Sequence, residues 1–394
     1  MKRILVVENG AGFGGALTSL GTLLSALDPS QYEVHLLTSY EQGLIQEGGA
    51  VKRVSVIPRR RRYGSDSVLE RGLRPFFGRR AGNAAFVIDH LTTGRDYARA
   101  VARYVREYAI DLVQGNNGIL INDAAILAAR RAGVPCLIHS RDCEYPGRVT
   151  GWLAKGVGKV MAVSGHVADS LRVLGLNDTS IGLIPEGLDA EAFAGQADPR
   201  AFRARHGLPE GMPLVGMVAC LVGWKGQDVF LDACAEALPR TGAGAVVVGG
   251  EPDRSGVRLA ALKARVRTLG LEGRVWCIGH ETDVASAMAA CEVVVHASTY
   301  PEPFGRVLLE TMAVGRPVIA TDAGGPREVV SSGVDGLLVP PKDAGAMGRA
   351  MAELLGDEAM RERLGRAGWA KVREKYGIAA HAARMVAAWE DLGV

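Results

Sequence analysis

Two carboxylates with seven residues between them, Glu302 and Glu310, stand in the stretch richest in chemistry, residues 296–328, HASTYPEPFGRVLLETMAVGRPVIATDAGGPRE. Residues 292–297, EVVVHA, and 317–321, PVIAT, are short β-branched runs that read as buried parallel strands. The pattern predicts a helix between them that opens after Pro303, Phe304 and Gly305. It carries Val307, Leu308, Met312 and Ala313 on one side and has Gly315 just past its end. Free amides of Phe304, Gly305 and Arg306 at such a helix start would bind an anion, and the carboxylates would take hydroxyls. That combination suits a nucleotide sugar. For Glu302 alone, an acid favoured by the helix dipole accounts for it as well. Glu310 lies between Leu309 and Met312, where a charge is costly without a partner.

Strand-helix-strand units recur on both sides of this stretch. Residues 3–7, 34–38, 111–114, 135–139, 159–163 and 180–184 read as strands, with helices at 16–27, 122–132 and 166–174 between them. Residues 185–212 break the rhythm with Pro, Gly and mixed charge and read as a linker. After it, strands at PLVGMVA, AVVVGG and RVWCIG alternate with helices at 227–238, 257–269 and 283–290. This alternation implies parallel sheets covered on both faces. The fold class is therefore α/β, with two tandem Rossmann-like doubly wound domains facing a central cleft. Residues 1–185 form the first domain and 186–376 the second, and an amphipathic last helix, 377–392, packs back on the body of the first. A chain of 394 residues is long enough for two cores.

Ligands of open α/β sheets bind outside the carboxyl ends of the strands, so residues in the loops there are candidates. Gly10–Gly15 reads G-x-G-x-x-G after a strand. As a dinucleotide fingerprint it lacks an acid at the end of the next strand, Leu37-Thr38-Ser39-Tyr40. It reads instead as a backbone cradle through Gly14 and Gly15 that lets a ligand approach closely, with a tight structural turn as the alternative. His139 ends a strand and is followed by Ser140 and Arg141, which places an imidazole and a guanidinium at a cleft edge, either in contact with substrate or structural. Lys225 opens the first helix of the second domain, where it either neutralises a diphosphate or is simply solvated.

Residues 52–80 hold ten Lys or Arg against two acids in a chain whose net charge is only +3, with Phe76 and Phe77 among them. This basic segment suits an anionic membrane surface or a lipid-phosphate acceptor, or it is a solvated loop; no nucleic-acid motif accompanies it. Six cysteines without a C-x-x-C point to reduced thiols and no metal site, and the absence of a leader or a spanning run points to a cytoplasmic protein, peripheral at most on the inner face of the membrane.

The residues resemble the retaining nucleotide-sugar glycosyltransferases of family 4, which have the GT-B fold. The resemblance covers nearly the whole chain and is strongest over residues 279–340, including the E-x7-E pair Glu302 and Glu310. VSGHVADSLRVLG from Val163, IPEGLD from Ile184 and the strand VPCLIH add to it. It implies that Glu310 binds the ribose hydroxyls, that Glu302 contacts the donor sugar, and that Phe304, Gly305 and Arg306 hold sugar or phosphate. It further implies that Lys225 holds the diphosphate, and that His139 and Gly15 lie near the reacting carbon. No cofactor or metal is implied, only a UDP- or GDP-linked sugar and a glycan or lipid-linked acceptor, as in a hexosyltransferase of polysaccharide biosynthesis.

Two departures stand out: Cys220 occupies the position of an Arg that shares the diphosphate, so that either a cation such as Arg141 or Arg306 substitutes or donor binding is weakened, and Pro185-Glu186-Gly187 replaces Pro-Asn-Gly. A sugar-nucleotide epimerase, a nicotinamide dehydrogenase and a non-catalytic sugar-nucleotide-binding subunit are the alternatives.

Overall fold

The computed structural model describes residues 1–10, 15–59, 73, 75, 81–144 and 147–394. Gly14, Phe76, Phe77 and most of the basic segment lie outside these residues. Two compact units are present, the first formed by Met1–Pro185 with Ile378–Val394 and the second by Glu186–Gly377.

The first unit holds seven strands: β1 (Lys2–Glu8), β2 (Tyr32–Thr38), β3 (Val51–Val56), β4 (Leu112–Asn116), β5 (Cys136–Ser140), β6 (Lys159–Ala162) and β7 (Ile181–Leu183). They pair in parallel in the order β3-β2-β1-β4-β5-β6-β7. Reversal of strand order between β1 and β4 makes their carboxyl ends the switch point of this sheet. Ile4, Val6, Leu36 and Leu112 from the strands pack with Leu20 and Leu24 of the helix Gly15–Ser25.

The last helix, Ile378–Glu390, belongs to this unit. It buries Ala382, Met385, Ala388 and Trp389 in the same core, and Trp389 Nε1 donates to Gln114 Oε1 at 2.8 Å. His381 of that helix sits with Nδ1 2.7 Å from the carbonyl of Pro185, the residue at which the chain leaves the unit.

The second unit has six strands: β8 (Leu214–Val218), β9 (Gly244–Val248), β10 (Val275–Gly279), β11 (Val293–His296), β12 (Val318–Thr321) and β13 (Gly336–Val339). Their order is β10-β9-β8-β11-β12-β13, all parallel, with the switch point between β8 and β11. Val215, Met217, Phe230, Val295 and Met347 are fully buried between this sheet and its helices.

Two expectations are corrected. Residues 185–212 are not irregular: helices Ala190–Gly195 and Pro199–Arg205 form there, each started by an aspartate (Asp189, Asp198) whose side chain accepts an amide of the first turn. Phe202, with no exposed surface, anchors the second of them. The front of the basic segment is not loop either. Lys52 and Arg53 lie on edge strand β3, whose Val-Lys-Arg-Val-Ser-Val pairs with β2 while both cations face solvent.

Candidate functional site

Lys225 follows β8 in a single turn, Gly223–Lys225, closed by Gly226 at φ 79°. A Cβ on Gly226 would lie 2.0 Å from the carbonyl oxygen of Ala297, so only glycine lets the turn seat against the chain leaving β11. Thr299 N donates to the Trp224 carbonyl at 2.7 Å across the same junction. Residues distant in sequence thereby meet at the switch point of the second sheet.

Glu302 lies at that junction, 8% exposed. One carboxylate oxygen accepts from Lys225 Nζ. The other accepts from His296 Nε2 at 2.5 Å and from Ser298 Oγ at 2.6 Å. Burial pushes this carboxyl up, but the His296 ring and the Lys225 ammonium beside it together outweigh burial and hold it well below the usual carboxylate range. Lys225 also lies 4.3 Å from the centroid of the Trp224 ring. The backbone of Glu302 is fixed by the glycine pair: it bridges to Gly324, and Gly325 N donates to its carbonyl at 2.8 Å.

The helix Arg306–Ala313 starts four residues after Glu302, with Gly305 at φ 91° and no side-chain cap over its first amides. The first amides of this helix, at Phe304, Gly305 and Arg306, are thus not engaged by a side-chain cap. Glu310 has a partner inside its own helix, Arg306, whose Nε donates to it at 2.7 Å. Nη1 of Arg306 is buried and makes no hydrogen bond. Cys220 hydrogen-bonds through Sγ to the Gly250 carbonyl at 3.4 Å, and partial burial pushes its thiol up, so it brings no charge to this end of the sheet. Glu302 and Lys225 are thus in direct contact, with Glu310 and Arg306 paired beside the helix start. His296 and Ser298 are site residues that sequence reasoning left without a role, although their place at the end of β11 was visible.

In the first unit the strand ends carry a buried polar network. Glu8, 2% exposed, accepts from the side chains of Asn116 and Asn117 and from Gly10 N. Arg141 donates to Asn116 Oδ1 at 2.8 Å and to Ser19 Oγ at 2.9 Å, and its Nη2 lies 3.2 Å from His139 Nδ1. His139 is not at an edge: it has no exposed surface, and its Nε2 lies 3.2 Å from the Ile184 carbonyl. An arginine can only donate, so Nδ1 accepts and Nε2 carries the proton toward Ile184. Gly15 is the exposed first residue of its helix. Arg141 serves this network through Asn116 and Ser19, whereas Arg306 keeps Nη1 without a hydrogen bond.

Sequence reasoning missed Glu144. Its carboxylate lies 9% exposed and accepts from Ile119 N, and burial pushes it up to about 7. Because the folded state holds this proton more tightly than the unfolded chain, the stability it contributes is complete at acid pH and fades as pH rises through about 7. Glu144→Gln is expected to remove that fade. Urea titrations at pH 5 and pH 8 should show the variant gaining on the wild type at pH 8 by about 1–3 kcal/mol relative to pH 5. Equal differences at the two pH values would refute it.

Among the described residues no three His, Cys, Asp or Glu side chains group as a metal site.

Residues 14–187 match the family described as glycosyl transferase 4-like domain, and residues 198–370 match glycosyl transferases group 1. The lipopolysaccharide core biosynthesis mannosyltransferase LpsB of Rhizobium meliloti (strain 1021) is 31% identical over 254 residues, 62% of this chain and 70% of that protein. A D-inositol 3-phosphate glycosyltransferase of Nocardia farcinica (strain IFM 10152) is 34% identical over 54% of this chain, and the match spans only 48% of its own length. Among solved structures, Anabaena Alr3699/HepE in complex with UDP-glucose superposes with a TM-score of 0.78 over 99% of this chain and 100% of that one, at 23% identity, and shares its fold. With both halves matched in order and the Glu302–Lys225 contact at a sheet switch point, the chain belongs to the GT-B glycosyltransferases of family 4 type.

Proposed function

We propose that this chain transfers a hexose from a UDP- or GDP-linked sugar to a lipid-linked or surface glycan, with retention at the anomeric carbon and without a metal ion. The observation that carries the reading is the cluster of Lys225, Glu302 and the uncapped start of the helix Arg306–Ala313 at one switch point. It offers a cation and free amides to a diphosphate and a fixed carboxylate to sugar hydroxyls. In this reading Lys225 and the amides of Phe304, Gly305 and Arg306 hold the diphosphate, Glu302 takes a sugar hydroxyl, and Glu310 takes the ribose. The bond from the anomeric carbon to the phosphate oxygen breaks and the nucleoside diphosphate leaves with both electrons. The acceptor oxygen then bonds to the same face and its proton passes to the departing phosphate. Electrostatic stabilisation of that leaving group is the main contribution to the rate. His139 and Gly15 are assigned to the reacting sugar by the resemblance alone; the burial of His139 favours orienting its surroundings over contact with substrate.

No described helix is long and apolar enough to cross a membrane. The reading includes a cytoplasmic protein with peripheral contact at the inner face of the membrane. Exposed Lys52 and Arg53 and exposed Val87, Ile88 and Leu91 supply cations and apolar side chains that an anionic surface attracts, whereas Arg59 is buried against Asp89 and Asp123 and takes no part.

A thermal-shift panel of UDP, GDP and ADP sugars, followed by incubation of the stabilising donor with and without acceptor glycans, tests the reading. One nucleotide class should stabilise the protein, and product should need an acceptor. A new sugar nucleotide formed from donor alone would replace transfer by epimerisation, and stabilisation by nicotinamide cofactors alone would remove both.

A further inference from the structure

Both oxygens of Glu302 are occupied, but by partners of different kinds. His296 and Ser298 hold Oε2 from beneath, and both are buried, at 6% and 1% exposure. On its other side the His296 ring lies 3.5 Å from Thr321 Oγ1, itself without exposed surface, so the ring is gripped between β11 and β12. The partner of Oε1 is Lys225, a flexible cation whose side chain is 17% exposed and also rests on Trp224. Lys225 can leave; His296 cannot without unpacking the sheet.

Resting on the donor reading above, we propose that His296 is a positioning residue. From beneath Oε2 it keeps Glu302 ionised and aimed as an acceptor for a sugar hydroxyl when Lys225 turns to the diphosphate. Without the ring, the departure of Lys225 would leave the carboxylate with only the Ser298 hydroxyl to oppose burial, and such a group takes up a proton. A protonated Glu302 would present a donor where the sugar needs an acceptor. The charged and titratable groups that act on Glu302 are His296 on β11 and Lys225 after β8, and burial works against both. Ser298 adds a hydroxyl donor to the same oxygen and fixes its direction without titrating. The ring thus decouples the anionic state of Glu302 from the position of Lys225.

The test compares wild type, His296→Gln and His296→Phe by calorimetry with the free nucleoside diphosphate and by pH profiles of kcat/KM with the donor sugar nucleotide. Nucleoside diphosphate affinity should change by less than about threefold, because the diphosphate contacts lie elsewhere in the site. At pH 7, kcat/KM should fall about tenfold or more in the Phe variant, and its acidic limb should move up by about one pH unit or more. His296→Gln, which can still donate to Oε2, should recover part of the rate but not the limb. In a Glu302→Gln background the His296→Gln change should cost less than about twofold, since the two residues act as one unit.

Acidic limbs that coincide across all three proteins would overturn the proposal, as would loss of nucleoside diphosphate binding in parallel with turnover. Should the Phe variant not fold, the limb of the Gln variant and the coupling in the double substitution decide the question between them. Wild type that binds no nucleoside diphosphate would overturn the donor reading itself, a result seen before any variant is measured.

Discussion

Lys225→Ala is expected to lower donor turnover at least about tenfold, and up to the roughly 10²–10³-fold typical of losing one preorganised electrostatic contact to a developing charge. The ammonium is held in advance of any ligand: Glu302 accepts from it, Trp224 lies against it, and the turn carrying it is locked by Gly226 on Ala297. With its backbone fixed in this way, the ammonium needs only a side-chain turn away from Glu302 to meet a leaving group. Cys220 brings no charge to the same end of the sheet, and the Arg306 Nε is engaged with Glu310, so neither residue replaces the ammonium directly. Removing the ammonium also strips a cation and a hydrogen-bond donor from a buried carboxylate, which adds to the loss. Lys225→Arg should retain more activity than Ala but less than wild type, because a planar fork does not fill the place of a compact ammonium. Steady-state kinetics with the stabilising donor and saturating acceptor decide it, and unchanged turnover in the Ala variant would remove the diphosphate role from Lys225.

Gly325→Ala should be as damaging, for a reason that involves no charge. A Cβ there would lie 2.4 Å from the Pro303 carbonyl oxygen and 2.5 Å from Phe304 Cα, both backbone atoms with nowhere to move. Its neighbour Gly324 has φ 70°, and a Cβ on it would lie 2.4 Å from the Glu302 carbonyl. The substitution must push residues 302–305 away, and with them the carboxylate and the amides that the donor needs. A stability cost of about 1–3 kcal/mol is expected, with turnover reduced about tenfold or more by displacement of the site. Gly195→Ala, with open space around it, serves as the control and should leave both unchanged. Thermal melts alongside kinetics separate the two effects; a Gly325→Ala enzyme with wild-type kinetics would show that the glycine pair does not set the loop.

Most of the second unit was legible because its strands and helices follow two clean periods, and because the helix from Arg306 is marked at both ends by glycine. The Glu302 and Lys225 contact was not legible. Their 77-residue separation becomes adjacency only through the order β8-β11, and strand order is a tertiary property that no local period encodes. Glu144 was missed for a similar reason, since nothing in its neighbours shows that β4 and the turn after it will close over its carboxylate. The helices within 185–212 were hidden by Pro and Gly that in fact mark their ends: Pro199 stands in the first turn of the second, and Asp198 caps it. Edge strand β3 was hidden by its charge, which solvated edges tolerate.

The return of the last helix has a consequence for synthesis. Ala382, Met385, Ala388 and Trp389 complete the core of the first unit, yet they are made after every residue of the second. When residue 185 emerges, that unit lacks the indole that covers Gln114 and Tyr32, while the whole second unit, 186–377, emerges before the missing helix does. The first unit therefore completes its core only after the second has been made, and a nascent chain stalled inside the helix Ile378–Glu390 carries an open apolar face on that first unit.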